Sequence, residues 1–263
     1  MAVERDVLEG VIAVARAAAR DILTVYEGAF AVEHKHDASP VTEADLAAHR
    51  RIVDGLQALT PGVPVLSEES PAPDIAARRL WSALWLVDPL DGTREFVKRN
   101  GEFTVNIALV VEGVATYGVI QQPVTGALWH GGPGLGAFRR DGETDHAIRA
   151  RIPAAGPLRI AASRSHRDAR TQAVLDALPG SEVVGCGSSL KFCRLAEGAL
   201  DLYPRFGPTS EWDTAAGQAI LEGAGGAVFD PRGRPLRYNQ RDTLLNGDFV
   251  ALGDPALRRR LPA

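Results

Sequence analysis

The sequence predicts a layered α/β protein, and three patterns predict it. The N-terminal part carries apolar residues at helical spacing. A run of β-rich segments joined by short turns follows. Beyond a Pro- and Gly-containing stretch at 152–157, short strands alternate with short helices, the pattern of sheets covered by helices.

Val7, Leu8, Val11, Ile12, Ala15, Ala19, Ile22 and Val25 or Tyr26 share one helical face, so a first helix is expected through them. A second is expected over 43–59, with Thr42 as its N-cap and Pro40 marking the turn before it. The segment 84–87 reads as a buried strand that Pro89 ends. Segments 103–111, 114–120 and 127–130 form a meander, with Glu112-Gly113 as a tight turn. Farther on, strands are expected at 158–162, 183–184, 200–203, 227–229 and 248–251, and helices at 168–178, 190–197 and 214–222. The stretch 152–157 divides an N-terminal lobe, 1–152, from a C-terminal lobe, 153–263, within one compact unit.

The chain has 263 residues, 45% hydrophobic and 24% charged, enough for a large buried core. Its net charge of −4 offers no broad basic surface, so no nucleic acid polymer is expected as a partner. An anionic ligand must then be held by a local group of cations or by metal. Arg5 and Arg16 interrupt the apolar positions of the N-terminus, which reads as neither a signal peptide nor a membrane span. Cys186 and Cys193 are too few for a disulfide framework and lack metal-type spacing, so a reducing compartment is expected.

The densest chemistry lies in Asp88-Pro89-Leu90-Asp91-Gly92-Thr93. Two carboxylates and the Leu90 carbonyl are presented at a strand's end, and hard cations such as Mg²⁺ take oxygen ligands of this kind. Gly92 permits a tight turn, and the Gly92 and Thr93 amides are placed to receive a phosphate. Glu68 and Glu69 follow another apolar run, and Asp213 opens a helix after Trp212. Carboxylates at such ends converge at one edge of a sheet in α/β folds, where their repulsion favours a bound cation. A metal-dependent phosphatase site is expected. Glu69 reads as a solvated neighbour of that set. Asp45, three residues after Thr42, also fits a capping box, a role compatible with a place in the site. The glycine-rich 132–136 lacks dinucleotide-site spacing and reads as a hairpin turn.

The stretch Trp85-Leu86-Val87-Asp88-Pro89-Leu90-Asp91-Gly92-Thr93 resembles the first signature of the inositol monophosphatase superfamily. Glu211-Trp212-Asp213-Thr214-Ala215-Ala216-Gly217 resembles the second, and Leu66-Ser67-Glu68-Glu69 the upstream acidic motif. The resemblance runs over nearly the whole chain. Segments 94–104, 187–193 and 202–208 are similar to the bacterial CysQ group, the 3′(2′),5′-bisphosphate nucleotidases.

The resemblance implies an α/β/α/β/α sandwich of the inositol monophosphatase/fructose-1,6-bisphosphatase type, with metal between the lobes. It implies hydrolysis of adenosine 3′,5′-bisphosphate to AMP and phosphate in sulfur metabolism, with two or three Mg²⁺ ions and inhibition by Li⁺. A cytoplasmic monomer or homodimer is implied, and some members associate with the inner membrane, although no anchor is visible here. Residue by residue, it makes Glu68, Asp88, the Leu90 carbonyl, Asp91 and Asp213 metal ligands. Thr93 and Asp45 become the pair that orients and deprotonates the attacking water. Glu68, Leu90, Asp91, Gly92, Thr93 and Asp213 also meet the substrate, and His166 and Ser188 contact the nucleotide.

Arg205 stands where inositol phosphatases usually carry an acidic residue, and Lys191 where they tend to lack a cation. An arginine fork and a lysine point charge suit a second phosphate. The rival readings are an inositol monophosphatase or fructose bisphosphatase on the same fold, and a nucleotide-binding regulator without catalysis.

Overall fold

The structure, a computed structural model, describes residues 4–30, 32–34, 40–162 and 169–262. Helix α1 (Arg5–Glu27) buries Val11, Ile12, Ala15, Ala18, Ala19 and Ile22, the helical stripe read from the sequence. After a short hairpin, β1 (Glu33–His34) and β2 (Pro40–Val41), helix α2 spans Glu43–Leu59. Thr42 caps it, and Asp45 closes the reciprocal capping box.

Both helices cover one face of a seven-stranded sheet with strand order β3-β4-β5-β6-β7-β8-β9. Its strands are β3 (Val65–Ser67), β4 (Ala83–Asp91), β5 (Thr104–Val111), β6 (Val114–Gln121), β7 (Leu128–Gly132), β8 (Gly136–Asp141) and β9 (Thr144–Ala147). The short helices α3 (Ala72–Ala77) and α4 (Thr93–Val97) flank β4. The central strands are buried on both faces, so β5, TVNIALVV, is apolar on both faces after the buried polar pair Thr104 and Asn106 rather than alternating. The expected turn at Glu112-Gly113 has φ of 49° and 77°, the twist that a two-residue hairpin favours. The glycine-rich 132–136 is the β7–β8 hairpin, with Gly132 paired to Gly136. The sequence reading did not separate β8 and β9, whose residues are mostly partly or fully exposed and carry little periodic signal.

The second sheet has the order β11-β10-β12-β14-β13. Its strands are β10 (Arg159–Ala161), β11 (Glu182–Val184), β12 (Leu202–Arg205), β13 (Ala227–Phe229) and β14 (Phe249–Leu252). Helices α6 (Leu190–Ala196) and α7 (Ala215–Gly223) lie between the two sheets, and their apolar residues share one core with Leu86, Ile120, Tyr203 and Ala251. Val174 of α5 (Ala169–Asp176) and Leu257 of a 3₁₀ turn (Pro255–Arg260) pack against the outer face of the second sheet. The layers are thus α/β/α/β/α. Each fully buried Leu or Ile in these layers contributes roughly 1.5–3 kcal/mol.

One expectation is corrected. Pro89 does not end β4; the strand runs through Asp91, with a register shift between Asp88 and Asp91. A proline lacks the ladder donor, and an irregularity in the pairing accommodates it. The shift leaves Asp88 paired with Asn106 and Asp91 paired with Thr104.

Candidate active site

Strand β3 runs parallel to β4 and delivers Glu68 beside it, the Glu68 amide donating to the Val87 carbonyl at 3.0 Å. Asp88 is 2% exposed, and its Oδ1 accepts the Leu90 amide at 3.0 Å. Gly92 follows at φ 95°, a left-handed conformation that a side chain resists. A Cβ there would also stand 3.2 Å from the Glu102 carbonyl and 3.3 Å from Ser188. The left-handed conformation favours glycine at this corner, and a Cβ would also crowd the Glu102 carbonyl.

Asp213 arrives from the other half of the chain on a 3₁₀ turn (Glu211–Asp213). Ser210 caps that turn, and its amide donates to Asp213 Oδ2 at 2.8 Å. Behind it, fully buried Glu211 accepts the Asn239 amide and the Arg241 guanidinium, both at 2.7 Å.

Ligand atoms of Asp88, Asp91 and Asp213 lie within 4.8 Å of one another. Burial, and then the charges of Glu68, Asp91, Asp213 and Asp45, push the Asp88 carboxyl well above its usual range. Burial and the Asp91 carboxylate push Asp213 up to about 7. Acids that resist ionisation until a positive charge arrives, with oxygen the only donor type, fit a hard divalent cation.

Beside this cluster, Thr93 Oγ1 stands 3.4 Å from Asp45 Oδ1 and 3.4 Å from the Leu90 carbonyl. The other Asp45 oxygen accepts the Thr42 amide at 2.8 Å and the Thr42 hydroxyl at 2.7 Å. The capping box and a place facing Thr93 therefore belong to the same buried residue.

A cleft of about 1280 Å³ opens from the acidic cluster, its wall including Asp91, Gly92, Ser188, Lys191, Arg205 and Asp213. Lys191 Nζ donates to the Ser188 carbonyl at 2.8 Å and stands 5.2 Å from the Tyr203 ring centre. Arg205 donates to the Pro208 carbonyl at 3.0 Å. Arg205 Nε and Ser188 Oγ are buried without a hydrogen-bond partner among the described residues. Ser188 holds φ 43°, an uncommon conformation for a residue with a side chain.

The structure thus brings together Asp88, Asp91 and Asp213, sets Glu68 close enough to raise two of them, and places Asp45 with Thr93. Ser188, Lys191 and Arg205 share the cleft. His166 lies outside the described residues. Sequence reasoning missed Ser189, Asn106 and Glu102. Ser189 and Asn106 bond Asp91, and Glu102 accepts the Gly187 amide at 2.8 Å. Glu102 and Ser189 lie inside segments already singled out, but no spacing rule marks a side chain that supports another.

No helix among the described residues is long and apolar enough to cross a membrane. The profile of the inositol monophosphatase family matches residues 4–257. The 3′(2′),5′-bisphosphate nucleotidase CysQ of Escherichia coli (strain K12) is 48% identical over 244 residues, 92% of this chain and 98% of that protein. The protein of the same name from Aggregatibacter actinomycetemcomitans is 38% identical over 92% of this chain and 91% of its own. Among solved structures, CysQ from Bacteroides thetaiotaomicron, described as a bacterial member of the inositol monophosphatase family, superposes with a TM-score of 0.81. It is 41% identical over 93% of this chain and 96% of its own.

Proposed function

The chain belongs to the inositol monophosphatase family, and from that premise we propose that it is a Mg²⁺-dependent 3′(2′),5′-bisphosphate nucleotidase hydrolysing adenosine 3′,5′-bisphosphate to AMP and phosphate. The observation that carries the substrate is one cleft lined by Asp91 and Asp213 of the carboxylate cluster and by the cations Lys191 and Arg205, with Arg205 Nε and Ser188 Oγ buried and without a partner among the described residues. A ligand phosphate and ribose would satisfy both. In this reading 1–152 and 153–263 are lobes of one unit, and the enzyme works in the cytoplasm.

Glu68, Asp88, the Leu90 carbonyl, Asp91 and Asp213 would hold the metal. Bound divalent cations would supply a lowered water pKa and neutralise the phosphoryl oxygens. The chain itself does the rest. Asp45 spends one oxygen on Thr42, so its other oxygen is the one facing Thr93. The Thr93 hydroxyl orients the attacking water and passes its proton toward that oxygen. The Gly92 and Thr93 amides meet the scissile phosphate at the left-handed corner made by Gly92. Lys191 and Arg205 hold the phosphate that is not cleaved and the leaving nucleotide with it. Positioning and charge neutralisation are most of what phosphoryl transfer requires.

Phosphate release with Mg²⁺, from adenosine 3′,5′-bisphosphate and inositol 1-phosphate in parallel, tests the reading. Strong preference for the nucleotide and loss under Li⁺ are expected; preference for the inositol phosphate overturns the substrate. Arg205→Glu is expected to cut kcat/KM for the bisphosphate roughly a hundredfold while changing slow monophosphate hydrolysis only a few-fold. An equal loss on both removes Arg205 from the second phosphate.

A further inference from the structure

Ser189 has no role in the reaction described above, yet it is bonded directly to the acidic cluster. It is 3% exposed and sits just before α6, in the other half of the chain from Asp91. Its amide and its hydroxyl each stand 2.6 Å from the same oxygen, Asp91 Oδ2. The hydroxyl is also 2.8 Å from the Asp213 carbonyl and accepts from Asn106 Nδ2 at 2.8 Å. Asn106 Nδ2 reaches Asp91 Oδ2 as well, at 3.4 Å.

A hydroxyl has one proton, and an ionised carboxylate takes it in preference to a neutral carbonyl. Asp91 Oδ2 is then occupied by protein donors and Oδ1 is left for another partner. The loop that carries Ser189 is fixed on its other side, where Glu102 accepts the Gly187 amide at 2.8 Å. The left-handed Ser188 between these anchors turns the chain from one to the other. One side chain thus touches Asp91 on β4 and the backbone of Asp213 on the 3₁₀ turn.

We propose that Ser189 is a positioning residue, whose hydroxyl holds Asp91 with one carboxylate oxygen turned toward the divalent cation and fixes that carboxylate relative to Asp213. The proposal rests on the reading of Asp91 and Asp213 as metal ligands. Groups that orient a ligand commonly change metal affinity by tenfold or more when removed. Ser189→Ala keeps the backbone bond to Asp91 and loses only the hydroxyl, so the low end of that range is expected.

The test is Mg²⁺ binding to metal-stripped protein, read by calorimetry and by the rise in Tm with Mg²⁺ concentration. Ser189→Ala is expected to weaken Mg²⁺ binding about tenfold. KM for the nucleotide at saturating Mg²⁺ is expected to stay within about twofold, and Ser189→Thr to recover most of the loss. Ser189→Cys replaces the hydroxyl with a weak donor of similar size and is expected to give a smaller shift in the same direction; it carries the test if Ser189→Ala does not fold. Unchanged Mg²⁺ affinity in the folded variant overturns the proposal. So does a loss confined to KM with Mg²⁺ binding intact. A wild-type protein that binds Mg²⁺ more tightly than Ser189→Ala but leaves the bisphosphate untouched refutes the nucleotidase reading and keeps this one.

Discussion

Two groups of charge, at two places on the same sheet, have opposite character. Where β7, β8 and β9 meet α1, Arg140 is 5% exposed and is enclosed by carboxylates. It bonds both oxygens of Asp145 at 2.7 Å and both oxygens of Glu9, and His130 Nε2 stands 2.9 Å from Asp145. The Arg140 guanidinium, with His130 helping, holds the Asp145 carboxyl down to about 2. At the end of β4 the carboxylates of Asp88, Asp91 and Asp213 face one another, and Asp88 and Asp213 are pushed up. Burial acts against ionisation in both groups; the difference is whether the chain carries the opposing charge. Where it does, the cluster fastens a helix to a sheet edge. Where the described residues supply none, the carboxyls at the end of β4 are held in a state that a proton or an outside cation relieves, a signature of function more than of stability.

Removing one acid from each group should break the comparison most sharply. Asp88→Asn keeps the side chain's shape and the bond from the Leu90 amide and removes a carboxyl that the fold holds back from ionising. We expect kcat/KM to fall at least about a thousandfold, while the Tm of the metal-stripped protein rises rather than falls. Activity assays and thermal melts on one preparation check both halves. A lower metal-free Tm would mean that Asp88 is held by compensating contacts, and the contrast would fail.

The compensated group should behave in the opposite way. Arg140→Met strands Glu9 and Asp145 beside an apolar side chain. A fully buried pair broken in this manner costs several kcal/mol; Glu9 and Asp145 are partly solvated, so about 2–3 kcal/mol is expected. Urea unfolding reads the loss, and kcat for the folded fraction should stay within about twofold of wild type.

The comparison also explains what the sequence disclosed. The acidic cluster was legible because its members sit at element ends in short strings, Asp88 to Thr93 and Glu211 to Gly217, where spacing constrains geometry. The first two helices were legible from periodicity, and the capping box from Thr42 and Asp45 three residues apart. The Arg140 group was not legible. Its members, Glu9, His130, Arg140 and Asp145, come from separate elements, each looks like an ordinary surface residue alone, and β9 is exposed along its length. Ser189 was hidden for a related reason: it acts on Asp91 across 98 residues of chain. Patterns local in sequence were readable, and pairings that only the folded sheets create were not. Pro89 shows the same limit within one strand, since the partner strand, not the proline, decides where β4 ends.

The smallest effect expected is one of pH, and its sign separates the two groups. A carboxyl raised above its ordinary value keeps a proton in the folded state that the unfolded chain has released. Asp213, ordinarily 3.8 and here about 7, therefore contributes stability that is present in acid and lost as pH rises through about 7 in metal-free protein. Asp145 works the other way. Held near 2 against an ordinary 3.8, its contribution is present from above 3.8 upward and is lost only as pH falls toward 2. Between pH 5 and 8, then, Asp145 stays silent, and the acidic cluster pulls the metal-free melting temperature down as pH rises. In the proposed reading Mg²⁺ would compete with protons for the same oxygens, so its stabilising shift should grow over that range, with a Tm increment at pH 8 a few degrees larger than at pH 5. Asp88→Asn should flatten both the drift and its reversal by Mg²⁺, whereas Arg140→Met should lower every Tm by a similar amount and leave both slopes in place. A Mg²⁺ increment independent of pH would show that the carboxylates are already ionised before metal binds, and that burial at the end of β4 is weaker than its geometry indicates.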